Sequence, residues 1–386
     1  MFCREYNPVK NRGKGGINMR KHYLDNIRWV TVVLVVIYHV FYMYNGQGIL
    51  GTLGKITDLE VQYYDIYQYI VYPWFMMLLF IVSGASARYY LDSHTAKEFI
   101  KSRTTKLLVP STIGLFVFQF IQGYINASLS NAGNIPAPAP VRYLIYCISG
   151  QGVLWYIQML WIFSLVLVLI KKIDKDRLWK VSAGTPLWVL ILMGALIYGA
   201  GQILNTPIIC CYRFGLYFAA FLIGYFVFSH DEVIERVKKF FPLFLAAAIG
   251  LGTPFCIIYF GQNYADNPVY RTPLFLLYGW FGSLAMIGGF ARFFDFATPF
   301  TQWMGKRSYG LYIFHYLGIS AVALFLARPG IIPPWAVYIL SLASGFAAGY
   351  ILNFIISRIP FMRWAVLGIS KKRDNKSRAK SEGGAS

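Results

Sequence analysis

The chain has 386 residues, of which 57% are hydrophobic, 18% aromatic and 13% charged, and 36 Lys and Arg against 16 Asp and Glu give a net charge of +20. So apolar a composition excludes a soluble globular protein. The basic excess does not describe a nucleic-acid binder either, because the charges flank apolar stretches instead of lining one face, and anionic lipid headgroups are their ordinary partner.

In chain order, residues 1–22 form a polar, basic segment with no cleavable signal peptide expected, 23–360 a membrane domain, and 361–386 a basic tail expected to be disordered. Crossing a hydrocarbon layer of about 30 Å takes about 20 helical residues. Ten stretches meet that requirement, near 27–44, 71–90, 107–126, 152–170, 185–204, 210–229, 242–260, 272–291, 308–326 and 335–357. Helices are expected over strands because backbone groups in lipid must pair within the span, and no ten-residue alternation suggests a barrel. The fold class is therefore an all-α integral membrane protein of about ten transmembrane helices with both termini cytoplasmic. In that orientation the intervals 1–28, 88–106, 171–180, 236–239, 292–307 and 358–380 lie inside, and they hold all the Lys and Arg except Lys55, Arg142, Arg213, Arg271 and Arg328. Cys147, Cys210, Cys211 and Cys256 fall toward the outside without C-x-x-C spacing or a His at ligand distance, so no metal site is expected and a disulfide has no support. Inverted repeats are not discernible.

The first span, LDNIRWVTVVLVVIYHVFYMYN, keeps two ionisable residues in oil. Arg28 and His39 are eleven positions apart, which is about 20° past three turns and about 16 Å of rise, so they share one face. Arg28 admits two readings, a snorkelling anchor paired with Asp25 or a functional cation. His39 lies past mid-bilayer, where an ionisable group marks a functional site by default.

These residues resemble the membrane-bound acyltransferase family 3, whose first span carries an Arg, ten residues and a His after Leu-Asp, here YLDNIRW. The likeness continues through LLFIVSGASARYY, KSRTTKLLVP, GVLWYIQMLW and GKRSYGLYIFHYLG across 23–357, and the closing RIPFMRWAVLG is similar to the glucan biosynthesis protein C branch. The resemblance implies transfer of an acyl group from cytoplasmic acyl-CoA, acetyl-CoA in the first instance, to a hydroxyl of an extracytoplasmic glycan or glycolipid at a bacterial plasma membrane. Under it Arg28 would hold a phosphate and His39 would take the acceptor's proton, with the pantetheine arm spanning the distance between them. A covalent acyl-histidine relay is the open alternative, and His315 is a second candidate or a satisfied buried His.

Further candidates have a structural reading beside the functional one. Ser83 and Gly84 either contact the donor or permit close helix approach. Arg88, Arg103 and Lys106 either clamp the nucleotide or express the cytoplasmic charge bias, and the family often has Arg where Lys106 stands. Trp155 and Tyr156, at the external start of the fourth span, either meet substrate or anchor it in an aromatic belt at the membrane interface, and Tyr309 lines the ninth span as a further substrate candidate. In the first external loop, the carboxylates Asp58, Glu60 and Asp65 among several tyrosines suit a sugar. A multi-span secondary transporter is the alternative class.

Overall fold

The computed structural model describes residues 21–47, 51–130, 136–206, 211–262 and 268–370. Most of the basic segment 1–22, most of the tail 361–386 and Cys210 lie outside the described residues. The described residues are mostly helical, joined by short loops apart from the long connection between Met43 and Ile66, with one isolated bridge between Asn205 and Arg213. In chain order we label α1 His22–Met43, α2 Ile66–Leu91, α3 Ala96–Leu129, α4 Ala139–Ser149, α5 Trp155–Asp174, α6 Arg177–Ser182 and α7 Leu187–Ala200. There follow α8 Phe214–Phe226, α9 Asp231–Lys239, α10 Phe241–Tyr259, α11 Pro273–Phe293, α12 Pro299–Ala327, α13 Pro334–Ile356 and α14 Pro360–Leu367.

The ten apolar stretches all become helix, and among the described residues eight helices are long and apolar enough to cross a membrane. The other two stretches differ in form. The stretch near 185–204 is the 14-residue α7, about 21 Å long at 1.5 Å per residue. The stretch near 210–229 ends at a 108° bend between α8 and α9, and the pair counts as a ninth span only if taken together. Beyond the bend, α9 begins with Asp231 and Glu232, ends with Arg236, Lys238 and Lys239, and buries Val233, Ile234 and Val237 on one side. Acidic first turn, basic last turn and a single apolar face suit a helix lying along the interface. At the carboxyl end, residues expected to be tail form α14, which buries Ala365, Val366 and Leu367 against the middle of α3.

Helix starts follow local chemistry. Proline occupies the first turn of α10, α11, α12, α13 and α14, where its missing N–H has no intrahelical partner anyway. Thr298 accepts from the Thr301 N–H at 3.2 Å and opens α12 with a capping box. Two five-residue π-turns, Thr104–Leu108 and Leu115–Gln119, interrupt α3, and the first follows Arg103 directly.

Polar contacts gather the basic intervals at one end of the bundle. Lys21 pairs with Asp231 at 2.8 Å, Arg88 with Asp176 at 2.6 Å, and the Tyr23 N–H donates to Asp295 at 3.0 Å. At the opposite end the Gly46 N–H donates to Asp65 at 3.0 Å and the Tyr69 hydroxyl to the Gln262 carbonyl at 2.9 Å. Between these ends α1 stands at the centre, packed on α2, α11, α12 and α13.

Candidate active site

The first turn of α1 is pinned before the functional residues begin. The buried Asn26 amide donates to the carbonyls of Phe294 and Phe296 at 2.7 and 2.9 Å, which ties α1 to the α11–α12 connection. Three residues from Asp25 along the helix, Arg28 donates to its carboxylate at 2.7 Å and also to the Ser86 hydroxyl on α2. Anchor and functional cation are thus not exclusive readings, because the paired guanidinium itself borders a cavity.

That cavity, of about 50 Å³, is lined by Arg28 and Val32 of α1, Leu79, Ser83 and Ser86 of α2, and Arg103 of α3. Tyr156 and Ile157 of α5 and Ser308, Tyr309 and Tyr312 of α12 complete it. Each tyrosine is fixed by its hydroxyl. Tyr156 shares a 2.9 Å hydrogen bond with Ser83, Tyr309 donates to the Lys106 carbonyl at 2.8 Å, and Tyr312 donates to the Val153 carbonyl. The Tyr309 bond lands on the π-turn after Arg103, so the irregular turn couples α3 to α12 at the cavity wall. Two guanidiniums make the niche anion-compatible, while the hydroxyls of Ser86, Ser308, Tyr309 and Tyr312 donate to backbone carbonyls and offer their lone pairs to it.

Further along α1, His39 is half-buried and His315 fully buried. The two rings meet with centroids 4.9 Å apart, and His39 Nδ1 lies 3.2 Å from His315 Nε2. Tyr38, Tyr42 and Tyr316 surround the His39 ring at 5.4, 6.0 and 5.2 Å between centroids. Tyr312, one turn before His315, links this imidazole pair to the cavity wall.

Six residues beyond His39, just past the end of α1 at Met43, Asn45 borders a second pocket at the opposite end of the molecule. Its volume is about 330 Å³, and Glu60, Asp65, Gln62, Gln68, Gln262, Tyr69 and Phe260 are among its walls. Asp65 is buried. One of its oxygens accepts from Gly46 and Gln62, each at 3.0 Å, while the other has no hydrogen-bond partner.

The candidate residues therefore separate into groups. Arg28, Ser83, Arg103, Tyr156 and Tyr309 share the first cavity, His39 and His315 touch, and Glu60 and Asp65 line the second pocket. Asp58 is exposed on the loop outside that pocket, and the Lys106 side chain does not line the first cavity. Gly84 faces α8, where a Cβ would collide with the Phe221 carbonyl, which is the geometry of a close helix approach, and it does not line the first cavity. Arg88 is likewise turned elsewhere, held by Asp92 at 2.9 Å and Asp176 at 2.6 Å and stacked on Trp179 at 3.9 Å. Trp155 packs on Phe80 and Tyr217 inside the bundle, not in a peripheral belt. Ser86, Ser308 and Asn26 are additions to the sequence-level set; their signal, a hydroxyl or amide within a turn of a candidate charge, is too common to single them out.

No curated protein and no solved structure matches the chain. A family model described as an acyltransferase domain matches residues 21–354, and the chain belongs to that family, acyltransferase family 3.

Proposed function

We propose that the protein transfers an acyl group, acetyl in the first instance, from cytoplasmic acyl-CoA to a hydroxyl of a glycan or glycolipid on the far side of a bacterial plasma membrane. One observation carries the reading: Arg28 and Arg103 border a single cavity, and the helix that supplies Arg28 also presents His39 about 16 Å further along. A guanidinium has five N–H donors, so contacts with Asp25 and Ser86 leave Arg28 capacity for a phosphate oxygen. The cavity hydroxyls suit the amides of a pantetheine arm. Glu60, Asp65 and the amides of the second pocket would receive the acceptor's hydroxyls, with Tyr69 and Phe260 against its apolar face. Similarity of the Arg358–Gly368 segment to the glucan biosynthesis protein C branch supports a glucan as acceptor, and family membership favours transfer over transport.

In the reaction, the acceptor hydroxyl gives its proton to the His39 imidazole as its oxygen attacks the thioester carbonyl carbon. The carbon–sulfur bond then breaks, and the proton passes from the imidazolium to the departing thiolate, giving ester and free coenzyme A. General-base catalysis of this kind is typically worth about 10²–10⁴ in rate.

The test is incubation of purified protein in detergent with radiolabelled acetyl-CoA and glucan acceptors. Label should enter the acceptor as coenzyme A thiol is released in equal amount. His39→Gln should bind coenzyme A normally and transfer about 10²–10⁴-fold more slowly. Folded, coenzyme A-binding protein that acylates no hydroxyl acceptor, or a Gln variant of near-normal activity, overturns the proposal.

A further inference from the structure

His39 and His315 approach through unlike nitrogens, and their other contacts decide which nitrogens carry hydrogen. His315 Nδ1 lies 3.0 Å from the Leu311 carbonyl and 2.9 Å from the Tyr312 carbonyl. Carbonyl oxygens only accept, so this Nδ1 is protonated, and in a neutral imidazole Nε2 then holds a lone pair. That lone pair points to His39 Nδ1 at 3.2 Å, and the same Nδ1 lies 2.8 Å from the Val35 carbonyl. Two acceptors on one nitrogen require a hydrogen there. His39 therefore carries its proton on Nδ1 and leaves Nε2 bare, and among the described residues nothing hydrogen-bonds to Nε2. The opposite tautomer would set the Nδ1 lone pair against a carbonyl oxygen at 2.8 Å and a second lone pair at 3.2 Å.

We propose that His315 is a positioning residue: with the Val35 carbonyl it holds the His39 proton on Nδ1, so that Nε2 stays free to take the acceptor's proton, and it then shares the Nδ1 hydrogen of the imidazolium. The proposal rests on His39 being the proton acceptor. A carboxylate could orient an imidazole equally well, but within a membrane span it would add a second buried charge. His315 performs the task while neutral, and it is itself fixed by two carbonyls of its own helix.

The experiment is ¹⁵N NMR of full-length, ¹⁵N-histidine-labelled protein in lipid, with the five histidine signals assigned by single replacements, alongside steady-state kinetics. His39 in the wild type should show a protonated Nδ1 and an unprotonated Nε2. His315→Phe should yield a mixture of His39 tautomers and a kcat about 10- to 100-fold lower, as outer-shell partners commonly cost, with donor KM within about twofold. His315→Gln, whose amide oxygen can accept from Nδ1, should restore the tautomer and most of kcat, and it keeps the test open if the Phe variant does not fold. A wild-type His39 protonated on Nε2, or a folded His315→Phe of unchanged tautomer and kcat, overturns the proposal. The tautomer is read without turnover, so the correct tautomer in a protein that transfers no acyl group would instead sink the proposed function.

Discussion

Arg28 meets an aspartate three positions behind it and a serine on the neighbouring helix, and the same guanidinium reaches a cavity that Arg103 also borders. If that cavity takes the phosphates of coenzyme A, Arg28→Ala removes a charge-assisted contact typically worth about 1.5–3 kcal/mol, about ten- to a hundredfold in affinity. Arg28→Lys should fall between, because an ammonium keeps the charge without the planar fork. Coenzyme A binding measured on detergent-purified, folded protein decides the matter, and equal affinity in all three forms removes Arg28 from the donor site. Arg28 and His39 were legible in the sequence because an ionisable residue stands out against an apolar helix and the spacing alone puts both on one face. Arg88 looks equally good by that criterion, yet its partner Asp176 lies 88 positions away, and only tertiary structure shows the guanidinium already spent on it. The same holds for His315. Its residue type was visible, whereas its contact with His39, 276 positions distant, was not.

Helices α2 and α8 cross where each carries a glycine, Gly84 on one and Gly224 on the other. A Cβ on Gly84 would strike the Phe221 carbonyl, and one on Gly224 would strike the Ile81 carbonyl. Backbone cannot yield as a flexible side chain does, so Gly84→Ala should destabilise the protein by about 1–3 kcal/mol, the usual range for overpacking. The fraction that remains folded should bind coenzyme A with unchanged affinity, since the added methyl points at α8 and away from Arg28. Thermal unfolding with and without coenzyme A separates these effects; weaker binding without loss of stability would return Gly84 to the donor site. A Ser-Gly pair in a span reads as either role, and no local signal distinguishes them. Hydropathy locates apolar length but is blind to direction, which is why all ten stretches became helix while the bend between α8 and α9 had no apolar signature. Its trace is instead the change of composition after Phe228, where an amphipathic segment of mixed charge follows an apolar run.

Across the whole molecule, basic intervals separated by tens to hundreds of residues converge on one end, and the loops expected outside converge on the other. The charge pattern made this sidedness readable, because cationic loops resist translocation whatever the packing between spans. The shape of the two recesses was not readable, since each is built from at least three separate stretches of chain. With the Arg28 cavity toward the basic end, the polar pocket of Glu60 and Asp65 toward the other, and His39 between them, donor and acceptor should never need to share a compartment. Orientation comes first: in a cysteine-free background, a Cys at Leu59 should react with a membrane-impermeant reagent from outside intact cells, and one at Lys239 should be protected. Protein reconstituted into sealed liposomes and selected for one orientation by that labelling then receives acetyl-CoA on the Lys239 side and an impermeant glucan on the Leu59 side. Acetylated glucan should accumulate in the compartment that never contained acetyl-CoA. Asp65→Leu should raise the acceptor KM by about tenfold or more, the cost of leaving acceptor hydroxyls without a charged partner, while coenzyme A affinity is unchanged. If product forms only when both substrates are on the same side, the two recesses do not serve one reaction, and the assignment of the outer pocket to the acceptor fails even if transfer itself is real.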